Sequence, residues 1–150
     1  MAADRRTAAV FTNFKRANVL YKALSPVKNL MLRSTAARRV LFGHALHKPA
    51  GISREVAAAI VDDNVGCHGF GALIRDFDGL QPSLGGIDCP VHVAWAEFDR
   101  IIPQDPFGVR FPELVPSATF STVPDVGHVP MYDDPERVVA EIVEHTTLSS

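Results

Sequence analysis

The sequence predicts an α/β protein with a helical amino-terminal half, a βαβ unit and a closing helix. Three observations carry this. Up to residue 77, apolar residues recur at helical spacing with no strand-like run among them. Two short runs rich in strand formers, Val91 to Ala96 and Ala118 to Val123, are separated by a helical segment that can serve as a crossover. A last stretch, Pro135 to His145, has the apolar periodicity of an amphipathic closing helix.

Taken in order, Ala8 to Leu24 carries Val10, Phe14, Ala17, Tyr21 and Leu24 at spacings of three and four, with Lys15, Arg16 and Lys22 on the polar side. Ser25-Pro26 ends this helix, because the proline ring disfavours helical geometry at the residue before it. Val27 to Leu32 and Thr35 to Leu46 read as further helices, the second with Ala36, Val40, Leu41 and Ala45 inward. His44 and His47 lie a turn apart but have no carboxylate or cysteine beside them, so no metal site is expected. Lys48-Pro49-Ala50-Gly51 is a turn. Ser53 is a good N-cap for a helix from Arg54 to about Val65, with Glu55 in the first turn where the helix dipole favours it. Phe70 to Phe77 predicts one more helix, and the Gly- and Pro-containing stretch from Asp78 to Asp88 a connector.

The carboxy-terminal half begins with the strand Val91 to Ala96, which places Asp99 just past its end. Gln104 to Val115 predicts a short helix with Phe107, Phe111, Leu114 and Val115 as its apolar residues, and Ala118 to Val123 the second strand. Val138, Val139, Ile142 and Val143 of the closing helix are expected against the sheet, with Glu136, Arg137, Glu141 and Glu144 outside. Thr146 to Ser150 reads as a frayed tail. Two strands joined by a crossover run parallel, so both C-terminal ends lie on one edge, where ligands of open α/β sheets bind. Asp99 and His128 therefore meet there. A carboxylate that holds one ring nitrogen protonated leaves the other free to take a proton from a nucleophile.

These residues resemble the C-terminal part of the α/β-hydrolase family. Pro90-Val91-His92-Val93-Ala94-Trp95-Ala96-Glu97-Phe98-Asp99-Arg100-Ile101-Ile102-Pro103 is similar to the strand that precedes the family's catalytic acid, with Ala96 in place of the usual glycine. Val126-Gly127-His128-Val129-Pro130 is similar to the turn that carries its histidine, and Asp134-Pro135-Glu136 opens the closing helix as in relatives. The resemblance implies that Asp99 and His128 are the catalytic acid and base, that no cofactor is used, and that the substrate is an ester or similar small molecule. It implies further that residues 1–78 form a helical cap or lid, 79–90 a connector and 91–150 the C-terminal part of the core. Met131 and Tyr132 would then lie near the edge of the site.

The family's nucleophile elbow, G-x-S-x-G, is absent: none of the eight serines stands between the two glycines. The resemblance thus casts the chain as a C-terminal fragment of an α/β-hydrolase fold, holding acid and base without a nucleophile and inactive alone. An amino-terminal half, or self-association through an exposed strand edge, would be its partner. Two other readings stand beside this one, a non-catalytic binding or interaction module and a decayed gene product.

Charge and composition narrow the field. Residues 1–55 hold eleven Lys and Arg against Asp4 and Glu55, a balance of +9, which leaves −11 for the remainder and −2 for the whole. A basic amphipathic amino end is compatible with a transit peptide, an anionic membrane surface or nucleic acid, and equally with two oppositely charged halves that pack together. No zinc pattern or aromatic-interleaved basic motif supports nucleic-acid recognition. No run approaches the length of a transmembrane segment. Cys67 and Cys89 form no paired motif, and with no signal peptide evident a cytoplasmic setting is expected. Cys89, next to Pro90, is expected in the core, and Cys67 at a helix end.

Overall fold

A computed structural model of the chain describes residues 5–69, 71–72 and 87–147. They fall in two compact units, Met1–Ala37 with Ser53–Pro82, and Arg38–Ile52 with Ser83–Ser150. Most of the predicted helix Phe70 to Phe77 and most of the connector lie outside the described residues.

The first unit is helical. Helix α1 (Arg5–Leu24) gives way at Ser25-Pro26 to a single 3-10 turn and then to the one-turn helix α2 (Lys28–Met31). Helix α4 (Arg54–Gly66) packs against both, and helix α3 (Thr35–Phe42) leads out of the unit. Tyr21, Leu32, Ala57 and Val61 are buried, and burial pushes the Tyr21 hydroxyl up to about 12. Polar contacts fix the pairing: Asn18 donates to the Asn64 backbone and side-chain oxygens at 3.0 and 2.9 Å, and Lys28 pairs with Asp62 at 2.8 Å. Ser53 caps α4 as its sequence position predicts, its hydroxyl accepting from the Val56 amide at 3.1 Å.

In the second unit, strand β1 (His92–Ala96) pairs in parallel with β2 (Thr119–Val123), in a register that sets His92 beside Thr119 and Ala96 beside Val123. The crossover contains two one-turn helices, α5 (Gln104–Phe107) and α6 (Phe111–Leu114), rather than one helix. Gly108 and Pro112 divide it, since glycine favours the break and proline removes the amide that would continue the ladder. Trp95 fixes this segment to β1, donating to the Ile102 carbonyl at 3.1 Å and meeting Phe111 edge-on at 5.8 Å. Helices α7 (Pro130–Asp133) and α8 (Pro135–Thr147) follow β2. The architecture is thus mixed helix with a small parallel sheet.

Three inward faces differ from those expected. Val40 of α3 is 82% exposed while Leu41, Phe42 and Leu46 are buried, because the buried stripe runs through Leu41 and Phe42 and a residue beside it turns away by about 100°. On α8 the inward stripe is Val138, Glu141 and His145, leaving Val139 59% and Ile142 56% exposed and Val143 exposed as well. The sheet offers polar groups at that end, His92 and Ser121, and the helix turns Glu141 toward them. Cys89 is exposed rather than in the core, since the strand begins only at His92.

Candidate active site

Backbone bonds carry the parallel pairing past the strand ends. Glu97 N–H donates to Val123 O at 3.0 Å and Phe98 N–H to Val126 O at 2.9 Å, so the residues after β1 are held beside those after β2. Asp99 and His128, both expected from the sequence, are thereby brought together, with His128 Nδ1 2.9 Å from Asp99 Oδ2. The other carboxylate oxygen accepts the Ile101 and Ile102 amides, each at 2.9 Å.

The Asp99 side chain is 7% exposed and that of His128 25%. Burial alone would raise the Asp99 carboxyl. The hydrogen bond from His128, the Ile102 and Ile101 amides and the imidazole's charge outweigh burial and hold it below the usual carboxylate range. An ionised Asp99 keeps the proton on Nδ1 and leaves Nε2 as the basic nitrogen. Among the described residues, no group is hydrogen-bonded to Nε2.

The loop after α3 forms the neighbouring wall, although the sequence assigned it to the amino-terminal helices. His44 is exposed as a residue, yet partial desolvation of its ring, only partly offset by its backbone bond to Leu41, joins with the nearby His128 to push the imidazole down. His47 stacks on Phe98 at 3.9 Å, and Arg100 donates to the Gly43 carbonyl at 2.8 Å. A groove of about 620 Å³ opens here, bordered by Arg39, Val40, Gly43, His47, Lys48 and Arg100.

Sequence reasoning missed Asp133, which ties this wall to the histidine turn. Its carboxylate accepts the amides of His47 at 2.9 Å, Lys48 at 2.6 Å and Gly127 at 2.8 Å. The approach demands glycine at 127, since a Cβ there would come within 2.7 Å of the Ala45 carbonyl oxygen and 2.8 Å of the His47 nitrogen. Just before it, Asp125 takes a left-handed φ of 66°, a conformation aspartate tolerates better than most residues, and its amide donates to Glu97 at 2.9 Å. Met131 and Tyr132, expected near the site, lie exposed on α7 directly after His128.

Sequence reasoning also missed a second polar cluster, His92, Glu141 and His145, at the other end of the strands. Its only sequence signal is the i, i+4 spacing of Glu141 and His145 on one helix.

No family model matches the chain. It is 35% identical over 94 residues to epoxide hydrolase EphH of Mycobacterium tuberculosis, a match that takes in 60% of this chain and 44% of that protein. It also resembles the crystal structure of a membrane phospholipase A described as a bacterial virulence factor, with a TM-score of 0.57 and 18% identity over 81% of this chain and 40% of that one. No helix among the described residues is long and apolar enough to cross a membrane. The chain spans less than half the length of either protein, and its likeness to the phospholipase is one of fold.

Proposed function

We propose that this chain carries the acid and base of an α/β-hydrolase acting on a small molecule with an epoxide or ester group, and that the nucleophile comes from outside residues 1–150. The Asp99–His128 hydrogen bond at the C-terminal edge of a parallel sheet carries this reading. The partial identity to an epoxide hydrolase supports it and puts epoxides first among the substrates to try. His128 Nε2 acts as general base, withdrawing a proton from a nucleophile or from water, while Asp99 holds the ring tautomer and balances the imidazolium that forms. In this reading residues 1–78 correspond to the family's helical cap region.

The test begins with the coding DNA upstream of Met1, searched in every frame for a strand followed by an elbow bearing Ser or Asp. The chain joined to that segment is expected to hydrolyse epoxides or p-nitrophenyl esters, and His128→Ala to lower kcat by about 10²- to 10⁴-fold. The 150-residue chain alone is expected to show no turnover. Absence of any such elbow, activity of the joined protein that ignores His128, or turnover by the isolated chain would each overturn the reading.

The groove bordered by Arg39, Lys48 and Arg100 favours one second reading, a module that binds anionic ligands without catalysis. It predicts salt-sensitive binding that is indifferent to His128→Ala.

A further inference from the structure

The cluster at the start of the strands is separate from Asp99 and His128. His92 opens β1 and Asp99 follows its end, so the length of the strand alone, about 13 Å, divides them. His92 Nε2 lies 3.1 Å from Glu141 Oε1, and His145 Nε2 lies 3.4 Å from the same oxygen. One ligand atom from each of the three residues falls within 4.8 Å of the others. We propose that His92, Glu141 and His145 bind one divalent transition-metal ion of the zinc class, which clamps α8 onto the sheet.

The donor set suits such an ion. Two borderline imidazoles with one harder carboxylate make a donor set that zinc accepts, and three protein groups leave a coordination position for water. Metal–ligand bonds of about 2.0–2.1 Å in a tetrahedron put neighbouring ligand atoms about 3.3–3.4 Å apart. The 3.1 Å between His92 Nε2 and Glu141 Oε1 is close to that edge, and His145 Nε2 starts 3.4 Å from the same oxygen.

Outer partners are in place as well. His92 Nδ1 is 2.7 Å from the Thr119 hydroxyl, which can accept its N–H and so leave the lone pair on Nε2. The Ser121 hydroxyl bonds to Glu141 and lies 2.9 Å from His92 Nε2. This arrangement is not a second hydrolytic triad. Serine and carboxylate both sit on Nε2, whereas a triad needs them on opposite ring nitrogens.

The His92 and His145 rings stack with centroids 3.4 Å apart and planes 12° apart. An ion lies in the plane of each imidazole that binds it, so one ring turns out of the stack on binding. His92 is held at both nitrogens. His145, in the last turn of α8, has Glu141 as its polar partner among the described residues, and it is the ring that turns.

The test titrates the 150-residue chain with Zn²⁺ in competition with a chromogenic chelator, and with Co²⁺ followed by visible absorption. One equivalent per chain is expected, together with the visible bands of four-coordinate Co²⁺. His92→Gln and His145→Gln should each weaken Zn²⁺ binding by more than about tenfold, and Thr119→Val by about tenfold, while His68→Gln leaves it unchanged. Circular dichroism of His145→Gln, whose substitution lies near a helix end, checks that the fold is retained. No stoichiometric binding, or binding that survives both His92→Gln and His145→Gln, would overturn the proposal and leave a carboxylate shared by two imidazoles. Either result is independent of the hydrolase reading, since no residue of the cluster belongs to that site.

Discussion

Asp99 is governed by a contest between burial, which disfavours its charge, and the donors around it, which favour it; the donors win. A carboxyl held below its unfolded value of about 3.9 adds stability that is fully present above that pH and is lost as the pH falls through the folded value. The wild-type urea midpoint should therefore fall on acidification below about pH 4, and that of Asp99→Asn should fall less over the same window. At neutral pH the Asn chain should be less stable by about 1–3 kcal/mol, because a buried charge-assisted bond is replaced by a neutral one. Equal acid sensitivity of the two chains would refute the assignment. Asp99 and His128 were legible in the sequence because each follows a strand-like run at a distance that a parallel pair converts into contact. Asp133 was not. Nothing in Tyr132-Asp133-Asp134 separates its carboxylate from its neighbour's, yet Asp133 gathers amides from three residues while Asp134 accepts the Arg137 amide at the start of α8.

At the scale of the element, local chemistry set the ends and tertiary surroundings set the faces. Both strands begin one residue later than the apolar runs suggest; α4 begins where its cap places it, α1 starts three residues before Ala8, and α8 runs two residues past His145, so Thr146 and Thr147 are helical rather than part of a frayed tail. Replacing the α4 cap, Ser53→Ala, should cost about 1 kcal/mol, read as a lower urea midpoint with an unchanged slope; an unchanged midpoint would mean that the Val56 amide finds another acceptor. The rotation of α8 was hidden because its valines make the more hydrophobic stripe. The sheet's starting edge offers imidazole and hydroxyl groups, and a half-buried carboxylate that meets them loses less than one left unpaired. The crossover was read as one helix from its apolar spacing, although Gly108 and Pro112 already marked the break.

For the molecule as a whole, what matters is apolar surface that nothing among the described residues covers. A sheet of two strands leaves each strand with one paired edge, and Val139 and Ile142 stand exposed on α8. The chain is therefore expected to self-associate as its concentration rises, measured by sedimentation equilibrium, and the double variant Val139→Lys, Ile142→Glu to associate less. A monomer at every concentration would count against this. The opposed charges of residues 1–55 and of the remainder were plain in the sequence. The grouping of residues 38–52 with the sheet was not, because the contacts that place them there involve residues about 80 positions away.

The Asp133 carboxylate has a consequence in time. The sheet joins residues 27 apart, while the bond from His47 to Asp133 closes a loop of 86. Loop-closure entropy makes the longer connection dearer by about 1 kcal/mol. Contacts of shorter range form sooner. The strands and their crossover are thus expected to assemble before residues 43–48 are drawn against the histidine turn, which φ-values higher at Trp95 than at Asp133 would show.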